Sequence, residues 1–494
     1  MLSRRQFIQS ILAFALLPKQ LLQAKGFSAP NAFQVPALEL GERSGKDVYF
    51  DLRIQSGPSK ILPNKTTQTW GVNQNFLGPS LRVNKGDRVH VRVKNSLDED
   101  STLHWHGMKL PAKSDGGPHQ SISPGHTWLS EFDINQPAST LWYHSHQLHK
   151  TGEQVYKGLA GLFIIDDTEA NKLNLPSEYG VDDFPVVIQD KDFNKDGSLQ
   201  YLRNFREGLM GKSGQTILVN GVVSPVLKAT KSLIRLRILN GSNARSYQLS
   251  FNDQRMFSII ASDGGLLESS VTVDSVQLSP AERVEILVDV SDGGMPILRH
   301  EASDQMSGGR MGGMMMGQMQ GGSSEFSIFQ IDARNAKKSS KSIPTTLVKH
   351  EPILSQQSIK TRVFRLQMPM GPQLMMGAMA GSTDLLKIND KTMDMDRIDE
   401  VVKAGSVEIW EIQNESMMAH PFHIHNVQFK VVSRDEDIEA HELGFKDTVM
   451  VNPYETVQVL MKFPEFSDSK TPYMYHCHIL EHEDRGMMGQ FTVV

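Results

Sequence analysis

The sequence predicts an all-β protein made of several sandwich-like domains. Three observations predict it. Short runs of alternating or β-branched residues recur along the chain, such as Arg88-Val89-His90-Val91-Arg92-Val93. Gly, Pro, Asn and Asp punctuate them at short intervals, and no long stretch carries a helical period to compete with them. With 494 residues the chain is too long for one ordinary core, and about 100–200 residues per domain suggests three.

The elements can be justified in chain order. Ser3-Arg4-Arg5-Gln6-Phe7-Ile8 is a twin-arginine pattern, and the apolar run Ile11 to Leu17 behind it is too short to span a bilayer. Residues 1–25 therefore read as a twin-arginine signal peptide, and the expected location is periplasmic. No later stretch has the roughly 18 consecutive apolar residues of a membrane helix, so no stable membrane insertion is expected.

The first block, residues 26–167, holds Val48 to Ile54, Arg88 to Val93 and Leu159 to Ile165. The second, residues 168–340, holds Pro185 to Gln189, Leu233 to Leu239 and Val284 to Asp289, and ends in a Lys/Ser-rich stretch. The third, residues 341–494, holds Val407 to Ile412 and Val457 to Met461. Gly86 to Asn95 echoes Gly405 to Asn414, and a histidine motif follows each shortly afterwards, which points to a repeated unit.

Composition narrows the function. The formal net charge is −5, from 51 basic and 56 acidic residues, so nothing suggests a nucleic-acid partner. There is one cysteine and there are 25 methionines. A single Cys makes no internal disulfide, which leaves Cys477 as a buried bystander or a reactive or metal-binding thiol.

Its neighbours decide between these. Four segments are dense in histidine: His104-Trp105-His106, His144-Ser145-His146, His420-Pro421-Phe422-His423-Ile424-His425 and His476-Cys477-His478, the last running on to His482 and Met487. They hold ten of the 17 histidines. On a strand, residues i and i+2 share a face, so each His-x-His offers two imidazoles side by side. One such pair means little, but four are hard to obtain by chance. In the last segment Cys477 faces one way and its two neighbours the other. The sulfur side can join His420 and His482, with Met487 as a weak axial ligand, which is the ligand set of a blue-copper site. His476 and His478 can reach a second site on the opposite face.

In order and spacing the four motifs resemble the signature of the multicopper oxidases, and the resemblance covers nearly the whole chain beyond residue 25. Asp115-Gly116-Gly117-Pro118, Lys157 to Gly161 and His420 to His425 are most similar to the bacterial exported copper-resistance (cuprous oxidase) branch. The resemblance implies three cupredoxin-like Greek-key β-sandwiches and four copper ions. His420, Cys477 and His482 would bind type 1 copper with Met487 axial, and His104 and His423 type 2 copper. His106, His144, His146, His425, His476 and His478 would bind the type 3 pair. Asp115 resembles the family's acidic residue near type 2 copper, and Glu483 the carboxylate that relays protons. The implied reaction couples one-electron oxidation of a reducing substrate to four-electron reduction of O₂ to water, by a monomer.

Substrate preference is less defined. Met306 to Met319 carries six methionines in a Gly/Ser/Gln-rich stretch, and Met368, Met370, Met375, Met376 and Met379 form a second group. Thioethers suit Cu(I), so Cu(I) and a role in copper tolerance are expected. The chain departs from the cuprous oxidase branch in two ways. Its densest Met cluster lies in the second block, and Ser416 stands where that branch has an acidic substrate-binding residue, for which Glu415 or Asp384 could substitute. Ferrous iron and phenols stay open as substrates. A periplasmic copper-storage protein is the non-enzyme alternative, although storage needs no Cys flanked by two His.

Overall fold

The computed structural model describes residues 31–302, 324–369 and 385–494. The twin-arginine segment, Met306 to Met319, Met370 to Met379 and Asp384 lie outside the described residues. As expected, the architecture is all-β. Among the described residues the strands form six sheets, two for each of three sandwiches. Each sandwich closes over its own apolar cluster, around Val91, Ile238 and Trp410 respectively.

Arg88–Asn95 shows why these segments fold as they do. Val89, Val91 and Val93 are buried while Arg88, Arg92 and Lys94 are exposed, so a period of two puts one face on the core and one in water. The strand pairs in parallel with Asp47–Ser59 and antiparallel with Thr127–Asp133. Val407–Asn414 repeats this pattern, parallel with Ser358–Gln367 and antiparallel with Thr456–Lys462. The sequence echo is thus a structural repeat.

The repeat has a third copy. Asn95, Asn240 and Asn414 each end a strand, and each amide clamps the loop that follows. The side-chain oxygen accepts from the backbone N–H two residues on, at Leu97, Ser242 and Ser416. The amide nitrogen donates to carbonyls at Glu99 and Ile122, at Arg245 and Leu278, and at Met418 and Val451. Each buried amide satisfies loop groups that no strand pairs with, which fixes the path of the chain. In the first and third sandwiches this loop leads into a histidine strand; in the second it leads to Asn243.

Asn31–Ala32 adds to the second sandwich, in parallel with Pro225–Val226. Two pairings matter most for the site. His104–His106 lies antiparallel to Ser139–His144, with His104 opposite His144. His420–Ile424 lies antiparallel to Asp468–Cys477, with His423 opposite His476 and Phe422 opposite Cys477.

Candidate metal centres

The pairing of Phe422 with Cys477 sends the Cys477 side chain into the core of the third sandwich. A short helix, Leu480–Asp484, follows at once and folds His482 back onto it. Sγ of Cys477 lies 3.4 Å from His420 Nδ1 and 3.6 Å from His482 Nδ1, and the two nitrogens are 3.3 Å apart. All three residues are buried. The far nitrogens are tied down: His420 Nε2 to the Ser416 hydroxyl at 2.8 Å, and His482 Nε2 to the Leu209 carbonyl at 2.8 Å. A ring whose Nε2–H is held by an oxygen presents a bare lone pair at Nδ1, so both Nδ1 atoms face the sulfur as ligands. Met487 is buried in the same apolar cluster, and its carbonyl accepts the Cys477 N–H. Burial pushes the Cys477 thiol well up, so a thiolate here requires a bound cation.

On the other face, eight buried imidazoles converge between the first and third sandwiches. They group as His104–His106–His423, His106–His144–His478 and His146–His425–His476, each with ligand atoms close enough for one ion. Burial, and in most cases neighbouring imidazoles, drives the pKa of His104, His106, His146, His423, His476 and His478 well below the usual range; burial takes His144 down to about 3. These rings are neutral and available as ligands. The outer nitrogens of several are spoken for. Nδ1 of His104, His144, His423 and His476 meets the carbonyls of Asp115, Ser145, Asp447 and Cys477. Nδ1 of His425 meets Asp115 Oδ2 at 2.8 Å. What remains is a set of buried nitrogens without partners: Nε2 of His104 and His423 and both nitrogens of His478. Buried polar atoms left bare are costly, and neutral imidazole lone pairs aimed at common points fit copper.

Three carboxylates support this cluster. Asp115 holds His425 and, through its backbone, His104. Glu483 is fully buried and brings its oxygens to 3.1 Å from His146 Nδ1 and 3.3 Å from His476 Nδ1, without an aligned hydrogen bond. Burial, then the nearby Asp484, raises its pKa well above the carboxylate range. The third, Asp447, accepts from His106 Nε2 at 3.0 Å. Sequence reasoning missed it, because a lone Asp in Lys446-Asp447-Thr448 carries no motif. Its only signal is its place just before Thr448–Val451, the strand that pairs with His420–His423.

Comparison with known proteins agrees with this geometry. Three family models, each described as multicopper oxidase, match residues 53–170, 186–295 and 364–494. A "Multicopper oxidase mco" of Staphylococcus haemolyticus is 37% identical over 449 residues, 90% of this chain and 88% of that protein. The chain belongs to the multicopper oxidase family. It is therefore an oxidoreductase of a copper-dependent class. A solved laccase from Pediococcus acidilactici superposes with a TM-score of 0.82 at 36% identity, covering 95% of this chain and 94% of the other. A relative from Xenorhabdus nematophila named "Cell division protein FtsP" is 36% identical over 501 residues, 100% of this chain and 98% of that protein. Multicopper oxidase relatives thus carry names as different as laccase and cell division protein, so finer function must be argued from the site.

The structure brings together every sequence-predicted ligand among the histidines and Cys477, and sets Asp115 and Glu483 against them. Ser416, the departure from the cuprous oxidase pattern, is fully buried and turned inward to His420. Glu415 is exposed but bonded to Gln367 at 2.9 Å.

Proposed function

We propose that the protein is a cuprous oxidase: it oxidises Cu(I) and reduces O₂ to water, with a role in copper tolerance. In this reading His420, Cys477, His482 and Met487 would hold type 1 copper, and His104 and His423 would hold type 2 copper. His106, His144 and His478 hold one copper of the type 3 pair, and His146, His425 and His476 the other. One observation carries the reading. Cys477 belongs to one buried ligand group, while His476 and His478, its immediate neighbours, belong to two others. Three consecutive residues thus connect the Cys477 group to the two proposed type 3 groups through a few covalent bonds.

Copper bound at these sites would supply one-electron acceptance and four-electron delivery to O₂. The chain supplies the rest. Ser416 and the Leu209 carbonyl orient the two imidazoles beside Cys477. Asp115 and Asp447 orient those of the cluster. Forming two waters consumes four protons, and Glu483, kept protonated by burial, holds one at the edge of His146 and His476. The tight core around Cys477 excludes water, and a cation bound there would hold the sulfur as thiolate.

The methionine content supports Cu(I) as the donor, with Met417 exposed three residues before His420. The twin-arginine pattern supports export to the periplasm. No helix among the described residues is long and apolar enough to cross a membrane. A second reading is a laccase-like phenol oxidase or ferroxidase on the same core. It is favoured by the inward-facing Ser416, which leaves no acidic side chain at that position for a substrate cation.

Steady-state O₂ consumption with Cu(I), Fe(II) and a bulky phenol, with and without added copper, tests these. The highest kcat/KM should be for Cu(I). A preference for phenol or Fe(II) with no Cu(I) turnover would overturn the substrate and leave the oxidase. Copper uptake with no O₂ consumption from any donor would leave a storage protein.

A further inference from the structure

The second sandwich supplies no imidazole to the cluster, yet it reaches into it through Arg283. Arg283 is fully buried and uses all five N–H donors of its guanidinium. Nε donates to the Thr140 carbonyl of the first sandwich at 3.1 Å. Nη1 donates to the Ala281 carbonyl and to Asp447 Oδ1, at 3.0 and 2.8 Å. Nη2 donates to the Asp263 carbonyl and to Asp447 Oδ2, at 3.1 and 2.5 Å. The fork fixes the Asp447 carboxylate in plane and in rotation. Oδ1 of Asp447 then faces His106 Nε2 at 3.0 Å, and its backbone carbonyl takes His423 Nδ1 at 2.8 Å.

His106 is unlike its neighbours. The five cluster rings held by oxygen acceptors at Nδ1 turn Nε2 inward. His106 is held at Nε2 and turns Nδ1 inward, 3.4 Å from His144 Nε2. The packing adds to this. A Cβ at Gly107 would lie 2.5 Å from Asp447 Oδ2 and 2.9 Å from Arg283 Nη2, and Gly107 has φ +85°. The chain after His106 is pressed onto the pair with no room for a side chain.

We infer that Arg283 and Asp447 are positioning residues: the pair fixes the tautomer and ring direction of His106, and through it the second sandwich sets the geometry of the histidine cluster. This rests on the cluster being a copper site. The hydrogen bonds of Arg283 go to carbonyls and to Asp447, not to a histidine, so it orients His106 through Asp447.

Two measurements test it. In the copper-free protein labelled with ¹⁵N-histidine, His106 should carry its proton on Nε2, whereas His104, His144, His423, His425 and His476 should carry theirs on Nδ1. A His106 proton on Nδ1 overturns the proposal, and this needs no variant. The second uses Asp447→Asn, Arg283→Lys, and the double variant Arg283→Met with Asp447→Asn, which removes both charges and so avoids leaving one buried unpaired. Apparent copper affinity of the histidine cluster should fall by about 10–100-fold in the single variants. The double variant should recover thermal stability but not copper affinity, which separates positioning from a merely structural role. The blue absorption of the Cys477 site should persist, with fewer than the wild-type number of coppers per chain and more of the remainder visible by EPR. Folded variants with wild-type copper content and spin count overturn it. Should no variant fold, the ¹⁵N result decides alone. A wild-type protein that takes up no copper would instead sink the copper reading of the cluster.

Discussion

Replacing Ser416 by alanine should loosen the copper at Cys477. The Ser416 hydroxyl lies 2.8 Å from His420 Nε2 and receives the Met418 N–H at 3.3 Å. It donates in turn to Asn414 Oδ1 or the Met418 carbonyl. Alanine removes the acceptor for a fully buried imidazole N–H. Asn414 is not orphaned, because its Oδ1 still receives the Ser416 N–H at 2.9 Å. The net loss is therefore two unmet donors, the His420 Nε2–H and the longer-range Met418 N–H, costing about 1–3 kcal/mol. Removing a hydrogen bond that orients a metal-binding histidine independently predicts about 10–100-fold in affinity, or ~1.4–2.7 kcal/mol. The two routes agree because both describe freeing the His420 ring to rotate away from Sγ. The assay is competition with a chelator, followed by the blue absorption. The variant should lose that band at about 10–100-fold lower chelator strength, while copper at the histidine cluster titrates as in the wild type. Superimposable titrations at both sites would refute the argument and leave the Ser416–His420 contact idle.

Three further outcomes are expected. Cys477→Ser should fold, since the side chain is nearly isosteric in a packed core, but lose the blue band and all oxidase activity; a variant that stays blue would sink the assignment. Glu483→Gln should keep the blue band yet slow reoxidation by O₂ by roughly 10²-fold or more, the scale of a lost general acid, in stopped-flow mixing of reduced protein with O₂; an unchanged rate would return Glu483 to a packing role. Deleting residues 306–319 should raise KM for Cu(I) by about tenfold (~1.4 kcal/mol of ground-state binding) at unchanged kcat, with small organic donors unaffected or faster; unchanged Cu(I) kinetics would make that segment a spacer.

The histidine motifs were legible because a metal site built on strands writes itself into the sequence at a spacing of two. The same period revealed the strands, and the glycine-led echo revealed that first and third units repeat. The third copy of the repeat was hidden. Leu233–Asn240 ends in the same clamping asparagine, but no histidine follows to draw attention to it. The supporting contacts were hidden for a different reason. Asp447 meets His106 across 341 positions of sequence, and the oxygen that fixes His482 is the backbone carbonyl of Leu209, which any residue could supply. Ser416 was visible as a departure from the cuprous oxidase pattern, but not that its hydroxyl turns inward. Direction is a property of the loop clamped by Asn414, and the sequence carries it only through that asparagine.

The second sandwich emerges as the part that holds the other two in register. Its clamped loop, after Asn240, carries Asn243 in place of a histidine motif. Asn243 donates to Glu481 Oε1 at 2.7 Å and to the Gly152 carbonyl of the first sandwich at 2.8 Å, and its own carbonyl accepts the Leu480 N–H. Glu481 sits between His478 and His482 in the chain, so this grip lands on the segment that joins the two metal centres. The remaining partners of the Glu481 carboxylate, the Tyr201 hydroxyl and the Lys212 N–H, also come from the second sandwich. A carboxylate this deeply buried is tolerable only with its oxygens satisfied, and losing one partner strands it. The same sandwich supplies the Leu209 carbonyl to His482 and Arg283 to Asp447. Copper ligands must be held within a fraction of an ångström, and the proposed ones come from two sandwiches that meet at an interface. A third body bonded to both sides removes the freedom of that interface to slide. That explains how a sandwich without any of the proposed ligands remains tied to both sites.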